Sequence, residues 1–267
     1  MNKNLFWKEL KRNRTRFLIW AAMLSAFILV TVAMVPNMAA TLKLQAILDV
    51  LPKEISLAFG IDSANWTNPL GVYVTYHVFY ALLFAAIFSV SLGMELLSKE
   101  EGRRTAEFLL TRPLGRNEIV GSKTGVLVVY VVALNAVMTL VALAGFAAFV
   151  PGSIDIAAFF VLSVYTLLLN LAIAALGLFV SLLVKRGRAT MSIGVGLVLG
   201  SYFLDAFAKA APKVEALGWL SPFRFVDIGV SQAGYGFQWW RILYFLGFIA
   251  VFLALTFFRY RKKDILI

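Results

Sequence analysis

The chain has 267 residues, of which 61% are hydrophobic and 15% charged, against roughly 45–50% and 25% in an ordinary soluble domain. A soluble fold of this length has too little interior for that much apolar surface, so lipid must cover much of it. With no cysteine and one histidine, His77, the sequence excludes disulfides, a thiol nucleophile, Cys-bound metals and paired-histidine catalysis.

The reading is an all-α, polytopic integral membrane protein forming one domain over 1–267. A span needs about 20 mainly apolar residues. Six stretches meet this, at about 17–35, 72–94, 125–149, 156–184, 189–208 and 242–258. Ahead of the first, "NKNLFWKELKRNRTR" places Leu5, Phe6 and Leu10 at helical spacing among Lys and Arg. This predicts an amphipathic helix over 1–16 lying along the membrane surface. The apolar run from Phe17 to Val35 has 19 residues, too many for the ~7–15 of a signal-peptide core. It is read as an uncleaved span.

Residues 36–71 form a loop with turn signals at Pro52, Gly60 and Asn68-Pro69. His77 follows in the aromatic run "YVTYHVFY", where a hydrogen-bonding role near the outer interface is expected. Glu95 ends the second span, and 95–124 is the charged connection to the third. Within the spans the polar residues are neutral: Asn135 and Thr139 in the third, Asn170 in the fourth. Asn135 and Asn170 line a path or bridge helices, as neutral polar groups in bundles do. Ser192, Gly196 and Gly200 form a small-xxx-small pattern that suits close helix packing, within the chain or with a second subunit. Asp205 and Lys209, four apart, are placed to pair. "LGWLSPFRFVDIGV", before the last span, is too apolar for a solvated loop and is expected to dip into the outer leaflet under protein or water cover.

The net charge of +11 is shared with nucleic-acid binders, but its distribution points elsewhere. Of 25 Lys and Arg, 19 fall in the N-terminal flank, 95–124, 185–188 and the C-terminal tail, and 6 in the alternate connections. By the positive-inside rule both termini are cytoplasmic. No mid-span acid or base is arranged as a proton relay. The ending Gly121-Ser122-Lys123-Thr124 resembles a phosphate loop only superficially, because Ser122 separates Gly121 from Lys123 and no strand precedes it. With no HExxH or GxSxG motif either, the chain is not expected to be an enzyme.

The connection itself has a short helical run with Phe108 beside Glu101 and Arg104, a stop at Pro113, a turn at Leu114-Gly115, and a second helical run into the third span. In "EFLLTRPLGRNEIVGSK" the sequence resembles the cytoplasmic loop of type-2 ATP-binding-cassette (ABC) exporter permeases. In those, Thr-x-Glu-x-Leu-Leu precedes a Pro-x-x-Arg turn and then a Lys. Thr105, Glu107, Leu109, Leu110, Pro113, Arg116 and Lys123 stand in these places, after the acids Glu95, Glu100 and Glu101. Members often carry Gly just before the Thr; here Arg104 stands there and the Gly is at 102. The likeness extends to the basic start, the six spans and "LGWLSPF".

This resemblance implies a non-catalytic permease whose loop forms a coupling helix on a separate ATPase subunit. The coupling residues it implies are Glu100, Glu101, Arg104, Thr105, Glu107, Phe108, Leu109, Leu110, Pro113, Arg116 and Lys123. It implies a dimer with a second copy or a sister permease, ATP and Mg held by the partner ATPase, no cofactor or metal on this chain, and no nucleic acid. The expected location is the plasma membrane of a bacterium or archaeon. The alternatives are an autonomous secondary transporter or channel, or a membrane assembly factor without transport. No residue selects a substrate.

Overall fold

The computed structural model describes residues 1–39, 68–102, 115–150, 152, 154–184, 190–232 and 234–262. They form α1 (Lys3–Ala39), α2 (Pro69–His77), a π-helical segment (Val78–Phe84), α3 (Ala85–Gly102), α4 (Arg116–Phe149), α5 (Ile156–Val180), α6 (Thr190–Ala210), two 3-10 helices (Pro212–Leu220 and Pro222–Phe225) and α7 (Trp239–Lys262). No strand occurs among the described residues. Among the described residues, six helical stretches are long and apolar enough to cross a membrane, with α2, the π-helical segment and most of α3 forming the second.

Local chemistry sets the boundaries. Asn68 caps α2, its Oδ1 accepting from Leu70 N–H at 3.0 Å, with Pro69 in the first turn where its missing N–H costs nothing. The Asp155 carboxylate caps α5 on Ala158 N–H at 3.0 Å. At α4, Gly115 donates its N–H to the Glu118 carboxylate at 3.2 Å, a charge favoured at a helix N-terminus. The fourth span ends at Val180, short of the expected 184, and 181–183 form a turn.

The sequence-based break between an interfacial helix and the first span does not occur, because α1 is one helix of 37 residues. Its buried stripe runs in phase from Leu5 through Glu9, Asn13, Leu24, Ile28 and Val32 to Val35, so residues 3–16 follow the same face as the span. That face lies on α4, which itself starts nine residues before the expected apolar stretch. Asn2 N–H donates to Ser122 Oγ at 2.8 Å, and the Tyr130 hydroxyl donates to the Leu10 carbonyl. At about 1.5 Å per residue such a helix is about 55 Å long, far more than a bilayer core of about 30 Å. Its basic first turns therefore stand on α4 beyond the hydrocarbon.

The second span is central: 83% of its apolar window is buried within the protein, against 11% for the last span. It reaches that position through small residues. A Cβ added at Gly93 would lie 2.6 Å from the Ala174 carbonyl oxygen, and one at Gly177 would lie 2.7 Å from that of Val90. α3 and α5 thus meet backbone to backbone. α7 packs mainly on α5, and α6 on α3 and the first 3-10 helix.

The 210–238 connection folds back on the bundle. Ser221 Oγ donates to the Ser201 carbonyl at 2.6 Å and accepts from Phe223 N–H, while Phe223, Phe225 and Val226 are buried. Phe225 stacks on Tyr244 with ring centroids 3.4 Å apart.

Gly93→Val or Gly177→Val should lower the melting temperature of the protein in detergent, at a cost of about 1–3 kcal/mol from overpacking. Gly247→Ala, where a Cβ would meet nothing within 4 Å, should leave it unchanged or raise it.

Candidate functional site

Three polar regions stand out against the apolar bundle. One lies where the chain leaves α3 and enters α4, one inside the bundle, and one at the opposite end.

Of the expected coupling residues, Arg104, Thr105, Glu107, Phe108, Leu109, Leu110 and Pro113 lie outside the described residues. Glu100 and Glu101 fall in the last turn of α3. Arg116 and Lys123 are both engaged within the chain. Arg116 Nη1 donates to the Arg261 carbonyl at 2.7 Å and the Tyr260 carbonyl at 3.4 Å. Those carbonyls belong to the last turns of α7, where a cation is favoured by the helix dipole. Arg261 Nε returns a bond to Asn117 Oδ1 at 2.7 Å. The start of α4 and the end of α7 are thereby joined.

Lys123 is fully buried, and its ammonium donates to the Leu96 carbonyl on α3. Its ammonium faces α3. Nothing in its sequence spacing distinguishes an exposed lysine from an inward-facing one two turns into a helix. The Arg16 guanidinium completes the region, pairing with Glu95 through Nη1 and donating to Ser91 Oγ at 2.7 Å through Nη2.

Inside the bundle, Asn170 Nδ2 donates to Asn135 Oδ1 at 3.1 Å and to the Ala81 carbonyl at 3.4 Å, while Asn135 Nδ2 donates to the Val131 carbonyl at 2.8 Å. The pair bridges α4 and α5, and its second bond reaches the π-helical segment. The wider i→i+5 turn spacing there displaces carbonyls from their usual α-helical partners.

His77 is also buried. Thr166 Oγ1 donates to the Leu162 carbonyl at 2.8 Å, so its contact with His77 Nε2, also 2.8 Å, uses its lone pair. That assigns the proton to Nε2 and leaves Nδ1 to accept from the Tyr73 hydroxyl at 3.3 Å. Tyr73, His77, Asn135, Met138, Thr139, Ser163 and Thr166 line a cavity of about 10 Å³, close to the ~10–15 Å³ needed for one water. His77 and Thr166 were not joined by the sequence reading. Their signal was the i, i+4 spacing of Tyr73 with His77 and of Thr166 with Asn170, which puts each pair on one helix face.

Ser192, Gly196 and Gly200 lie on an exposed face of α6, and a Cβ at Gly196 or Gly200 would meet nothing within 4 Å. Within the chain, close approach is made by Gly93 and Gly177 instead. Asp205 and Lys209 do pair, at 2.7 Å.

At the bundle end opposite the termini, Asp227 and Arg241 pair at 3.3 Å, Arg241 Nε donates to Gln238 Oε1 at 2.7 Å, and Gln238 N–H donates to the Tyr165 hydroxyl at 2.8 Å. Tyr235 donates to the Asp227 carbonyl at 2.9 Å. Burial, and then the Asp227 carboxylate, push its phenol well above the ordinary value, so it remains a donor.

Six apolar helices around a neutral, hydrogen-bonded core, with cationic ties at the end carrying both termini, define a multi-pass helical membrane protein. A family model described as ABC-2 family transporter protein matches residues 3–265, nearly the whole chain, and the chain belongs to that family. Its members are typically non-catalytic membrane subunits that partner with ABC ATPase subunits in general. No curated protein matches the sequence.

Asn135→Leu and Asn170→Leu should each destabilise the bundle by about 1–3 kcal/mol, because each strands a buried partner. The double substitution should cost clearly less than the sum. Thermal melts of the three variants in detergent measure the coupling.

Proposed function

We propose that this chain is the permease subunit of an ABC exporter. In this reading it works as a dimer with itself or a sister permease, and a separate ATPase subunit that holds ATP and Mg drives it. The observation that carries the reading is the family match across residues 3–265. The coupling element is the connection between α3 and α4, where the resemblance to exporter permeases is strongest, from Thr105 to Arg116. The ties around it support a mechanical role. α3 and α4 enter and leave the connection as long helices, so a displacement of 103–114 is delivered to rigid levers rather than absorbed in slack chain.

ATP binding closes the ATPase pair, and the connection moves with it. For the permease to respond, the coupling contacts must differ in free energy between its inward-open and outward-open arrangements. The neutral Asn135–Asn170 and His77–Thr166 groups offer hydrogen bonds without the penalty of a buried charge, which suits helices that must repack beside a path. The basic end is cytoplasmic, in the plasma membrane.

The full chain expressed with its neighbouring genes should co-purify with an ATP-binding subunit. Glu107→Ala should lower the ATPase activity recovered with it, at unchanged membrane insertion. A chain that purifies alone and supports ion-gradient-driven flux in liposomes would instead be an autonomous transporter. Because the chain has no cysteine, topology is read directly: Ser63→Cys should react with an impermeant maleimide in intact cells, and Thr111→Cys only after permeabilisation. The reverse pattern overturns the orientation.

A further inference from the structure

The polar bonds at the end of α3 form a closed figure. α1 holds α3 through Arg16, which spans Glu95 and Ser91, one helical turn apart on the same face. The Ser91 hydroxyl donates to the Phe88 carbonyl at 3.0 Å, so its lone pairs are left to receive the guanidinium. α4 holds α3 through Lys123, whose buried ammonium reaches Leu96, the next residue round the helix. The third side is closed by the bonds from Asn2 to Ser122 and from Tyr130 to Leu10, which join α1 and α4. Each pair among the three helices therefore shares a directional bond close to where the chain leaves for residues 103–114.

The energetics argue that this figure serves position more than stability. Glu95 is about half exposed, and an ion pair of that kind adds little to folding. The Lys123 ammonium is fully buried and is held on a backbone carbonyl of the neighbouring helix, a bond with a set direction. What the two cations provide is direction: each fixes the rotation and height of α3 against a neighbour, which apolar contact alone leaves free to slide.

We propose that Arg16 and Lys123 are positioning residues that clamp the end of α3 between α1 and α4, so that the three helix ends move as one body. That the moving force comes from an ATPase rests on the function proposed above; the rigidity of the body does not.

The test uses the full chain in lipid nanodiscs with spin-label pairs introduced at Arg12→Cys on α1, Gly102→Cys at the end of α3 and Gly121→Cys on α4. A Cβ at Gly121 meets nothing within 4 Å. With the clamp intact, all three pairwise distance distributions are narrow. Arg16→Glu should broaden the 12–102 distribution, and Glu95→Arg in the same chain should narrow it again. Lys123→Met should broaden 102–121 while leaving 12–121 narrow. Distributions that stay narrow in either single variant, or a charge swap that does not restore the first, overturn the proposal.

A second arm adds ATP and Mg to the complex with the co-purified ATPase. The three labels should then shift together relative to one at Phe207→Cys, an exposed position near the end of α6, and Lys123→Met should separate 121 from the others. If the unaltered chain recovers no ATPase, the functional reading fails, while the distances in the chain alone still decide the clamp.

Discussion

The backbone contact between α3 and α5 is the constraint on which the bundle depends. Lipid tails are as apolar as leucine, so helices in a membrane gain little from burying aliphatic side chains and associate through close packing and directional bonds instead. Gly93 and Gly177 remove the side chains that would hold α3 and α5 apart. Once they touch, the second span is enclosed, while the last span, α7, keeps the least of its surface inside the protein.

Enclosure accounts for the character of the interior. A span that meets protein on nearly every side can carry His77, Ser89 and Ser91 without exposing them to hydrocarbon, provided each finds a partner. The π-helical segment sits between α2, which packs on α1, and α3, which packs on α5 and α6. A change of register there lets one span satisfy two sets of neighbours, and the Asn170 amide takes up a carbonyl that the altered register presents. Polarity inside the bundle and irregularity in its central helix are thus connected.

The charged groups follow a different rule. They gather at the two ends, and at each end they tie segments that are distant in sequence: Arg116 to the end of α7, Arg16 to α3, Arg241 to Asp227. At the headgroup level a cation can keep a water-facing side while its stem packs on apolar surface. In the function proposed above, force enters at the end around 103–114, and there α1, α3, α4 and α7 are tied by polar bonds.

Much of this was legible in the sequence. Twenty-residue apolar runs and the turn signals at Asn68-Pro69 and Gly115 are local, and α2 and α4 start at those two turns. The 19-to-6 distribution of Lys and Arg, likewise a property of the chain alone, sets the expected orientation. The loop motif from Thr105 to Lys123 pointed to the family that the match over 3–265 then established. What tertiary structure decided was direction. Residues 1–16 look amphipathic either to a membrane surface or to another helix, and only the presence of α4 beneath Leu5, Glu9 and Asn13 makes them part of α1. Lys123 reads as a loop-end cation until α3 is placed against it. Within the chain, the small residues that bring helices together are Gly93 and Gly177, while Gly196 and Gly200 stay on an exposed face of α6. Spacing along a helix fixes which residues share a face, but which face meets a neighbour depends on contacts between residues far apart in the chain.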